Sequence, residues 1–297
     1  MSEHFWRAFA TTSNTLSADK KECPLSRKIT IILLIVDAKQ SKEWDVLIFT
    51  QHWPLTVCLQ WKEVVPQHTC SLPTIKNTWT VHGIWPTKLG TKGPQFCNSS
   101  MHFNKTELEP IEKQLELYWT NIHNGSIYSL WKHEWKKHGT CAAVLPALGT
   151  ERKYFGQGLE WINQYDMSNI LSKSGIEPKN QSYTPQNIWD AVYKTLGKIP
   201  AVQCIVDPKT KDVYLFEIRI CFDKNLTLTD CDGIKESAIP AIGIKTNCPL
   251  NKTIIYPSAL PTFHEKPFYT ISMPVFRQHS WLFEALRIIQ FLQWFTF

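Results

Sequence analysis

The chain has 297 residues, of which 43% are hydrophobic and 20% charged, and its formal net charge is +6 at pH 7. It contains no internal repeat and no low-complexity tract, which excludes solenoid and fibrous architectures. The length alone would allow about two domains. The unusual ends at 1–38 and 259–297, however, leave a central region, 39–258, that one hydrophobic core can fill. The positive charge suits a polyanionic partner, although many exported proteins are equally basic.

The first 38 residues resemble an export leader of atypical form. Two basic pairs, at 20–21 and 27–28, precede an apolar run at 29–36, and Ala38 ends a stretch that resembles a signal-peptide cleavage site. Cleavage there would remove Cys23 from the 9 cysteines and leave an even number, which suits disulfide pairing in an oxidising compartment. The polar prefix is long for a signal, so an alternative first exon or a misassigned start competes with this interpretation. The apolar run is far too short to cross a bilayer.

Strand and helix patterns are interspersed through the central region, which favours an α+β domain. Residues 45–50 and 78–82 have the composition of strands, and these strands would deliver Gln51 and His82 at their ends. A capping-box pattern at 106–109 then precedes apolar residues at near-helical spacing, which predicts a helix.

The second half of the central region predicts two helices and two strands. One helix should run from about 151 to 165, and another should begin at 184–185, with a capping threonine and a proline, and close at Gly197. Residues 213–220 alternate between the two faces of a strand and give the clearest core strand, while 252–256 is predicted to be the closing strand.

The segment 131–141 places four chemically active side chains on one predicted helix. At about 100° per residue, Glu134 and His138 share a face, Lys137 lies beside them, and His133 sits one turn from Lys137. The competing interpretation is a zinc helix, in which two histidines four residues apart bind the metal. Here the histidines are five residues apart and Lys137 occupies the place of the second ligand, so zinc binding through this helix alone is disfavoured.

A second segment, 79–86, places His82 and Gly83 between Trp79 and Trp85. Imidazole can be half protonated in mildly acidic to neutral water, so two histidines can act as base and acid in one reaction cycle. A lone histidine beside tryptophan is more often a packed or capping group. The catalytic interpretation of His82 therefore depends on the helix segment that follows about fifty residues later.

The two segments, in this order and with Gln51-His52-Trp53-Pro54 upstream, resemble the active-site boxes of the ribonuclease T2 family of acid endoribonucleases. The resemblance extends over roughly 41–258 and is strongest to animal secreted and lysosomal members. It implies an α+β fold in which helices flank a central, mainly antiparallel sheet stapled by disulfides. The pairs it implies are Cys58–Cys70, Cys97–Cys141, Cys204–Cys248 and Cys221–Cys231.

The resemblance also implies a reaction and a role for each residue. His138 would remove the proton of the ribose 2′-hydroxyl and His82 would protonate the departing 5′-oxygen, leaving a 2′,3′-cyclic phosphate. Glu134 and Lys137 would stabilise the transition state, and His133 would bind the phosphate. The substrate would be single-stranded RNA, DNA would be inert because it lacks the 2′-hydroxyl, and neither a metal nor another cofactor would be required.

Base recognition is less defined by the sequence. Trp85 matches the family position that stacks on a base, and Gln51 matches a residue that lines the second base site. The family often has Asp where this chain has Thr87, and many members carry an aromatic residue where it has Leu130. These departures leave the catalytic residues intact but give no basis for a nucleotide preference.

The chain is expected to be exported to a secreted, lysosomal or endoplasmic reticulum location and to act as a monomer. Asn-x-Ser/Thr sequons suit such a chain and are candidate glycosylation sites. They lie at Asn98, Asn104, Asn124, Asn180, Asn225 and Asn251.

The resemblance stops at 258. In the segment 281–297, polar residues recur every third position, at 284, 287, 290 and 293, within an otherwise apolar sequence. A helix of this pattern would have a narrow polar stripe and could contact a membrane surface peripherally or pack on the domain. An alternative terminal exon without settled structure is an equal competitor.

Two other functional classes compete with the enzyme. A catalytically silent RNA-binding or signalling relative would tolerate loss of the histidines, yet His82, His133 and His138 are all present. A metal-dependent hydrolase is disfavoured by the five-residue histidine spacing described above.

Overall fold

A computed structural model describes residues 42–179, 181–235 and 243–260. The predicted leader, almost all of the predicted tail and the sequon at Asn180 lie outside the described residues. Within these ranges, none of the helices combines the length and the apolar character that crossing a bilayer requires.

One mixed sheet forms the centre of the described chain. Its strand order is β2-β1-β5-β4-β7, with β6 and β8 also paired to β5 and β3 paired to β8. The strand pairs β1–β2, β1–β5 and β4–β5 are antiparallel, whereas β4–β7 and β5–β8 are parallel. The predicted mainly antiparallel sheet is therefore confirmed. The strands are β1 (Val46–His52), β2 (Thr80–Thr87), β3 (Ser182–Tyr183), β4 (Ala201–Val206), β5 (Val213–Phe222), β6 (Leu228–Thr229), β7 (Lys245–Thr246) and β8 (Ile254–Ile255).

Helices of different lengths flank this sheet. Short 3₁₀ segments occur at Lys105–Ile111 and Pro146–Leu148, and a π-helical turn occurs at Trp135–Gly139. The α-helices are α1 (Pro54–Val64), α2 (Glu112–Tyr118), α3 (Ile127–Glu134), α4 (Thr140–Ala142), α5 (Glu151–Gln164), α6 (Met167–Ser172) and α7 (Pro185–Leu196).

The two predicted N-terminal strands exist but are longer than expected. β1 continues through Gln51 to His52, and β2 continues from Thr80 to Thr87, so the prediction that His82 ends its strand is wrong. The strand tolerates Pro86 because β2 lies at one end of the sheet order, where a missing N–H interrupts no ladder on the outer side.

The capping residues at the helix ends show which of the predicted helix ends are correct. Thr184 caps α7 in a reciprocal capping box with Asn187, and Gly197 ends it with a left-handed φ of 64°, which confirms both predicted ends. The predicted capping box at 106–109 is wrong. The cap is the Asn104 side chain, which accepts a hydrogen bond from the Thr106 N–H at the start of a 3₁₀ turn.

Large aromatic side chains fill the space between the sheet and the helices. Trp161 of α5 stacks on Phe222 of β5 with ring centroids 3.7 Å apart, and it also meets Phe49 of β1 edge-on. Among the largest fully buried side chains are Trp44, Trp53, Trp79, Trp119, Trp131 and Trp135. Because several of these residues flank the two sequence boxes, the boxes are anchored in the core through their tryptophans.

All four cysteine pairs implied by the resemblance are confirmed. The bridge between Cys97 and Cys141, with Cα atoms 5.0 Å apart, ties a long connection to the C-terminal end of the helix that carries the second box. The bridge between Cys221 and Cys231 similarly ties β5 to the loop that follows β6. The remaining bridges are Cys58–Cys70 and Cys204–Cys248.

Two glycines in α5 provide a matched test of this packing. A Cβ atom at Gly158 would lie 2.3 Å from the buried Trp119 ring, whereas a Cβ atom at Gly156 would meet nothing within 4 Å. We expect Gly158→Ala to lower the free energy of unfolding by about 1–3 kcal/mol through overpacking. Gly156→Ala should raise it by about 0.5–1 kcal/mol, since alanine favours a helix. Chemical denaturation of both variants measures the difference, and equal effects would contradict the packing described.

Candidate active site

A β-bulge in β2 sets the position of the His82 side chain. Thr50 pairs with Gly83 and Gln51 pairs with Val81, so His82 is the extra residue that has no partner on β1. Bulges of this kind redirect a side chain and are frequent beside functional sites.

Two buried side chains hold the backbone on either side of the bulge. The Trp119 indole N–H donates to the His82 carbonyl at 3.0 Å, and the Tyr154 hydroxyl donates to the Ile84 carbonyl at 2.8 Å. Both side chains are fully buried. The position of His82 is therefore fixed by the core rather than by a flexible loop.

The second box lies on a helix that is not α-helical throughout. α3 passes into the π-helical turn Trp135–Gly139, which contains Lys137 and His138, before α4 begins. The prediction of regular α-helical spacing over 131–141 is therefore wrong from residue 135 onward. The wider turn accommodates the Trp135 ring against Gly139, where a Cβ atom would lie only 2.3 Å from the ring. Single π turns inside helices are frequent at functional sites.

The two boxes meet at the indole of Trp85. Its ring centroid lies 5.0 Å from that of His82 and 5.5 Å from that of His138, and its N–H donates to the Glu134 carboxylate at 3.0 Å. Gly83 makes this contact possible, because a Cβ atom there would lie 2.1 Å from the Glu134 carboxylate and 2.2 Å from the Trp85 nitrogen. The two histidines predicted to be catalytic consequently flank a common ring.

The surroundings shift the pKa values of His82 and His138 in opposite directions. Burial lowers the His82 pKa, but the carboxylates of Glu217 and Glu134 outweigh it, and the net pKa is raised above 6.5. Burial, together with the charges of Lys137 and His133, holds the His138 pKa well below 6.5. At a pH near 6.5, His82 therefore tends to carry a proton while His138 is neutral.

The other three predicted residues of the second box lie in the same cluster. Glu134 and Lys137 are 1% and 3% exposed. Burial raises the Glu134 pKa and lowers the Lys137 pKa, while the attraction between the two opposes both shifts. Burial and the Lys137 charge lower the His133 pKa to about 4. The pKa values of these groups are thus shifted from their usual values, which is typical of catalytic centres.

Three residues that the sequence analysis missed complete the cluster. Glu217 on β5 accepts a hydrogen bond from Nδ1 of His82 at 2.6 Å, and its other oxygen accepts from the Arg219 guanidinium at 2.7 Å. His52 on β1 stacks on His82 with ring centroids 5.2 Å apart. The alternation of 213–220 was the available signal, because polar residues at 217 and 219 must share the face opposite Ile218.

The two predicted base-binding residues have different surroundings. Gln51 is fully buried, and its amide donates to the Tyr165 carbonyl at 2.8 Å and accepts from the Met167 N–H. The Gln51 side chain thus fixes the connection between α5 and α6. Trp85 is partly exposed and carries the Arg219 guanidinium 5.2 Å from its ring centre. Contacts of either residue with a base stay predictions.

Among the described residues, one group of side chains has the spacing of a metal site. Donor atoms of His52, His82 and Glu217 lie within 4.8 Å of one another. The Glu217 carboxylate already accepts from His82 and Arg219, so a cation would have to displace both while facing a guanidinium charge. These residues fit a hydrogen-bonded ion pair better than a metal centre.

Comparison with known proteins shows which sequences and folds this chain resembles. The model of the Ribonuclease T2 family matches residues 44–231. Ribonuclease Oy of Magallana gigas is 37% identical over 73% of this chain and 97% of its own. Ribonuclease T2 of Homo sapiens is 38% identical over 68% of this chain and 76% of its own. A structure of a point variant of RNase MC1, from bitter gourd, with 5′-UMP superimposes with a TM-score of 0.59. It is 28% identical over 72% of this chain and 99% of that one.

Gly83 offers a test of the contact between the boxes. Gly83→Ala should force the Trp85 indole away from Glu134, and because small misplacements at a reacting centre are costly, we expect RNA cleavage to slow by about 10²-fold. Gly149→Ala is a matched control, since a Cβ atom there would make only ordinary contacts at 3.4 Å or more. Initial rates of RNA cleavage, with circular dichroism to verify folding, measure the effect. Wild-type rates in a folded Gly83→Ala protein would contradict the proposed role of this contact.

Proposed function

The chain belongs to the ribonuclease T2 family and is an endoribonuclease, and we propose that His82 and His138 are the acid and the base of its reaction. The observation that carries this proposal is that the two imidazoles flank one indole ring, at centroid distances of 5.0 and 5.5 Å, with carboxylates beside His82 and a lysine beside His138. An acid must hold a proton at the working pH and a base must lack one. The surroundings of the two residues provide this difference.

In the proposed reaction, neutral His138 takes the proton of a ribose 2′-hydroxyl, and the 2′-oxygen attacks the adjacent phosphorus. The bond from phosphorus to the 5′-oxygen of the next nucleotide breaks, and protonated His82 gives its proton to that oxygen. The products are a 2′,3′-cyclic phosphate and a free 5′-hydroxyl. The attacking oxygen belongs to the substrate, so the reaction needs no metal-bound water.

The remaining residues of the second box act on the phosphate. Lys137 is buried and places a cation beside Glu134, where it would offset the negative charge that develops on the phosphoryl oxygens. Glu134, whose carboxylate accepts from the Trp85 indole and whose pKa burial raises, would lie beside the same transition state. His133, with a pKa of about 4, would bind the phosphate as a neutral donor.

This chemistry defines the substrate as RNA, since DNA lacks the 2′-hydroxyl that attacks. We infer a preference for single strands, because Trp85 can stack on a base only when that base is not paired. The alternative of a silent binding protein is not favoured by a cluster that retains both histidines and their charged neighbours.

We also infer an oxidising location, either secreted or within the secretory and lysosomal pathway. Four disulfides support this inference, because such bridges persist mainly outside the cytosol. The described sequon asparagines are all exposed, as glycosylation would require. They are Asn98, Asn104, Asn124, Asn225 and Asn251.

Replacing each histidine separately tests the assigned roles. His82→Ala and His138→Ala should each lower kcat by about 10²–10⁴-fold, the usual contribution of a general acid or base. His102→Ala is the matched control, because His102 is exposed and lies outside the cluster. The assay uses single-stranded RNA with and without a chelator, and the 2′,3′-cyclic products are identified by mass spectrometry. Near-normal turnover in either variant, or loss of activity with chelator, would refute the mechanism.

The pH dependence of kcat/KM tests which histidine is the acid. Activity should fall on the alkaline side as pH rises through the raised His82 pKa, so the midpoint of that limb should lie above 6.5. It should fall on the acidic side as His138 gains a proton, with a midpoint well below 6.5. A kinetic profile on a dinucleotide substrate measures both limbs. An alkaline midpoint below 6.5 would contradict the assignment of His82 as the acid.

A further inference from the structure

His82, the proposed acid, has a hydrogen-bond partner in the carboxylate of Glu217, which takes no direct part in the proposed reaction. Glu217 is 1% exposed and lies on β5, where its Cα pairs with that of His52 on the adjacent β1. One carboxylate oxygen accepts from Nδ1 of His82 at 2.6 Å, and the other accepts from the Arg219 side chain at 2.7 and 3.2 Å. A fully buried carboxylate with both oxygens occupied has a defined orientation.

We propose that Glu217, held by Arg219, is the positioning residue of the general acid. Its carboxylate fixes the His82 proton on Nδ1 and leaves Nε2 to serve the departing 5′-oxygen. This inference rests on the proposed function of His82. Glu217 does not touch the reacting atoms, so it acts only through the imidazole, in the way that a carboxylate orients a histidine in other acid–base sites.

Arg219 helps to keep the Glu217 carboxylate ionised in acidic solution. Burial by itself raises the pKa of a carboxyl, which would leave it uncharged in acid. Here the Arg219 and His82 charges outweigh burial, and the Glu217 pKa falls to about 2. The carboxylate therefore stays ionised throughout the range in which His82 must remain protonated.

The other titratable groups that face His82 cannot replace Glu217. Burial raises the Glu134 pKa, so Glu134 loses its charge in acid more readily than Glu217 does. The remaining groups are histidines from β1, from the loop after α2, and from the helix that carries the second box. All have lowered pKa values and stay neutral: His52, His123, His133 and His138. Among the described residues, Glu217 is thus the facing group that is anionic at every working pH.

Two substitutions should move the alkaline limb of the pH profile in opposite directions. Glu217→Gln keeps the shape and an acceptor oxygen but removes the charge, so the His82 midpoint and the alkaline limb should both fall by about 1–3 pH units. Arg219→Gln removes the first cause of the low Glu217 pKa. Because the Arg219 charge also lowers the His82 pKa, the alkaline limb should move to higher pH in this variant.

A matched control separates this role from general loss of a buried carboxylate. Glu151 is also buried and accepts a hydrogen bond from the Asn104 N–H at 2.9 Å, and it is not among the groups that shift the His82 pKa. Glu151→Gln should leave both limbs where they are. A merely structural role for Glu217 would lower stability or rate without moving the pH profile, which would overturn the proposal.

Nuclear magnetic resonance of ¹⁵N-histidine-labelled protein gives a reading that does not depend on activity. In the wild-type protein above the His82 midpoint, the remaining ring proton should reside on Nδ1, and this measurement stands even if a variant fails to fold. A neutral ring protonated on Nε2, or an unchanged His82 midpoint in folded Glu217→Gln, would overturn the inference alone. If the His82 midpoint measured by NMR moves in Glu217→Gln but the alkaline limb of the kinetic profile does not, the ion pair is supported and His82 is refuted as the acid.

Discussion

The contact between Trp85 and Glu134 is the interaction on which the rest of the site depends. It joins a strand and a helix that are separated by about fifty residues, and it exists only because Gly83 lacks a side chain at the point of closest approach. The buried indole of Trp119 and hydroxyl of Tyr154 hold the strand, and the Cys97–Cys141 bridge holds the far end of the helix. The residues proposed as acid, base and phosphate-binding groups are therefore placed by core packing before any substrate arrives, so that little ordering entropy remains to be lost in the reaction.

The same residue type suits the two opposite tasks proposed for it because the two histidines have different neighbours. His82 faces two carboxylates, one of them locked in place, and its pKa rises despite burial. His138 faces a lysine and other imidazoles, so burial and repulsion act together and its pKa falls. When the surroundings of two titratable groups push their pKa values apart, the two groups are candidates for the acid and the base of a reaction. Glu217, the neighbour that raises the His82 pKa most, lies on the sheet, whereas the neighbours that lower the His138 pKa most, Lys137 and His133, lie on its own helix.

The sequence predicted the elements with strong local signals and missed features that depend on long-range register. Helix α7 was predicted at both ends because Thr184, Asn187 and Gly197 satisfy its caps locally. The bulge at His82 could not be predicted, because it is defined by the pairing of β2 with β1. The π turn at 135–139 was missed for a similar reason, since packing of Trp135 against Gly139 decides it rather than helix propensity. Glu217 is more than a hundred residues from His82 in sequence, and only the antiparallel pairing of β5 with β1 brings it near.

The site is costly to fold, which explains the amount of rigid structure around it. Glu134, Lys137, His138 and Glu217 are each 8% exposed or less, and taking ionisable groups out of water is unfavourable even when they are paired. A domain with a smaller core would release such groups to solvent, and their pKa values would return to ordinary values. The tryptophan-rich core and the four disulfides instead keep the charged cluster buried. The bridge at Cys221 lies on the same strand as Glu217 and Arg219, so the strand proposed to orient the acid is covalently fixed next to these two residues.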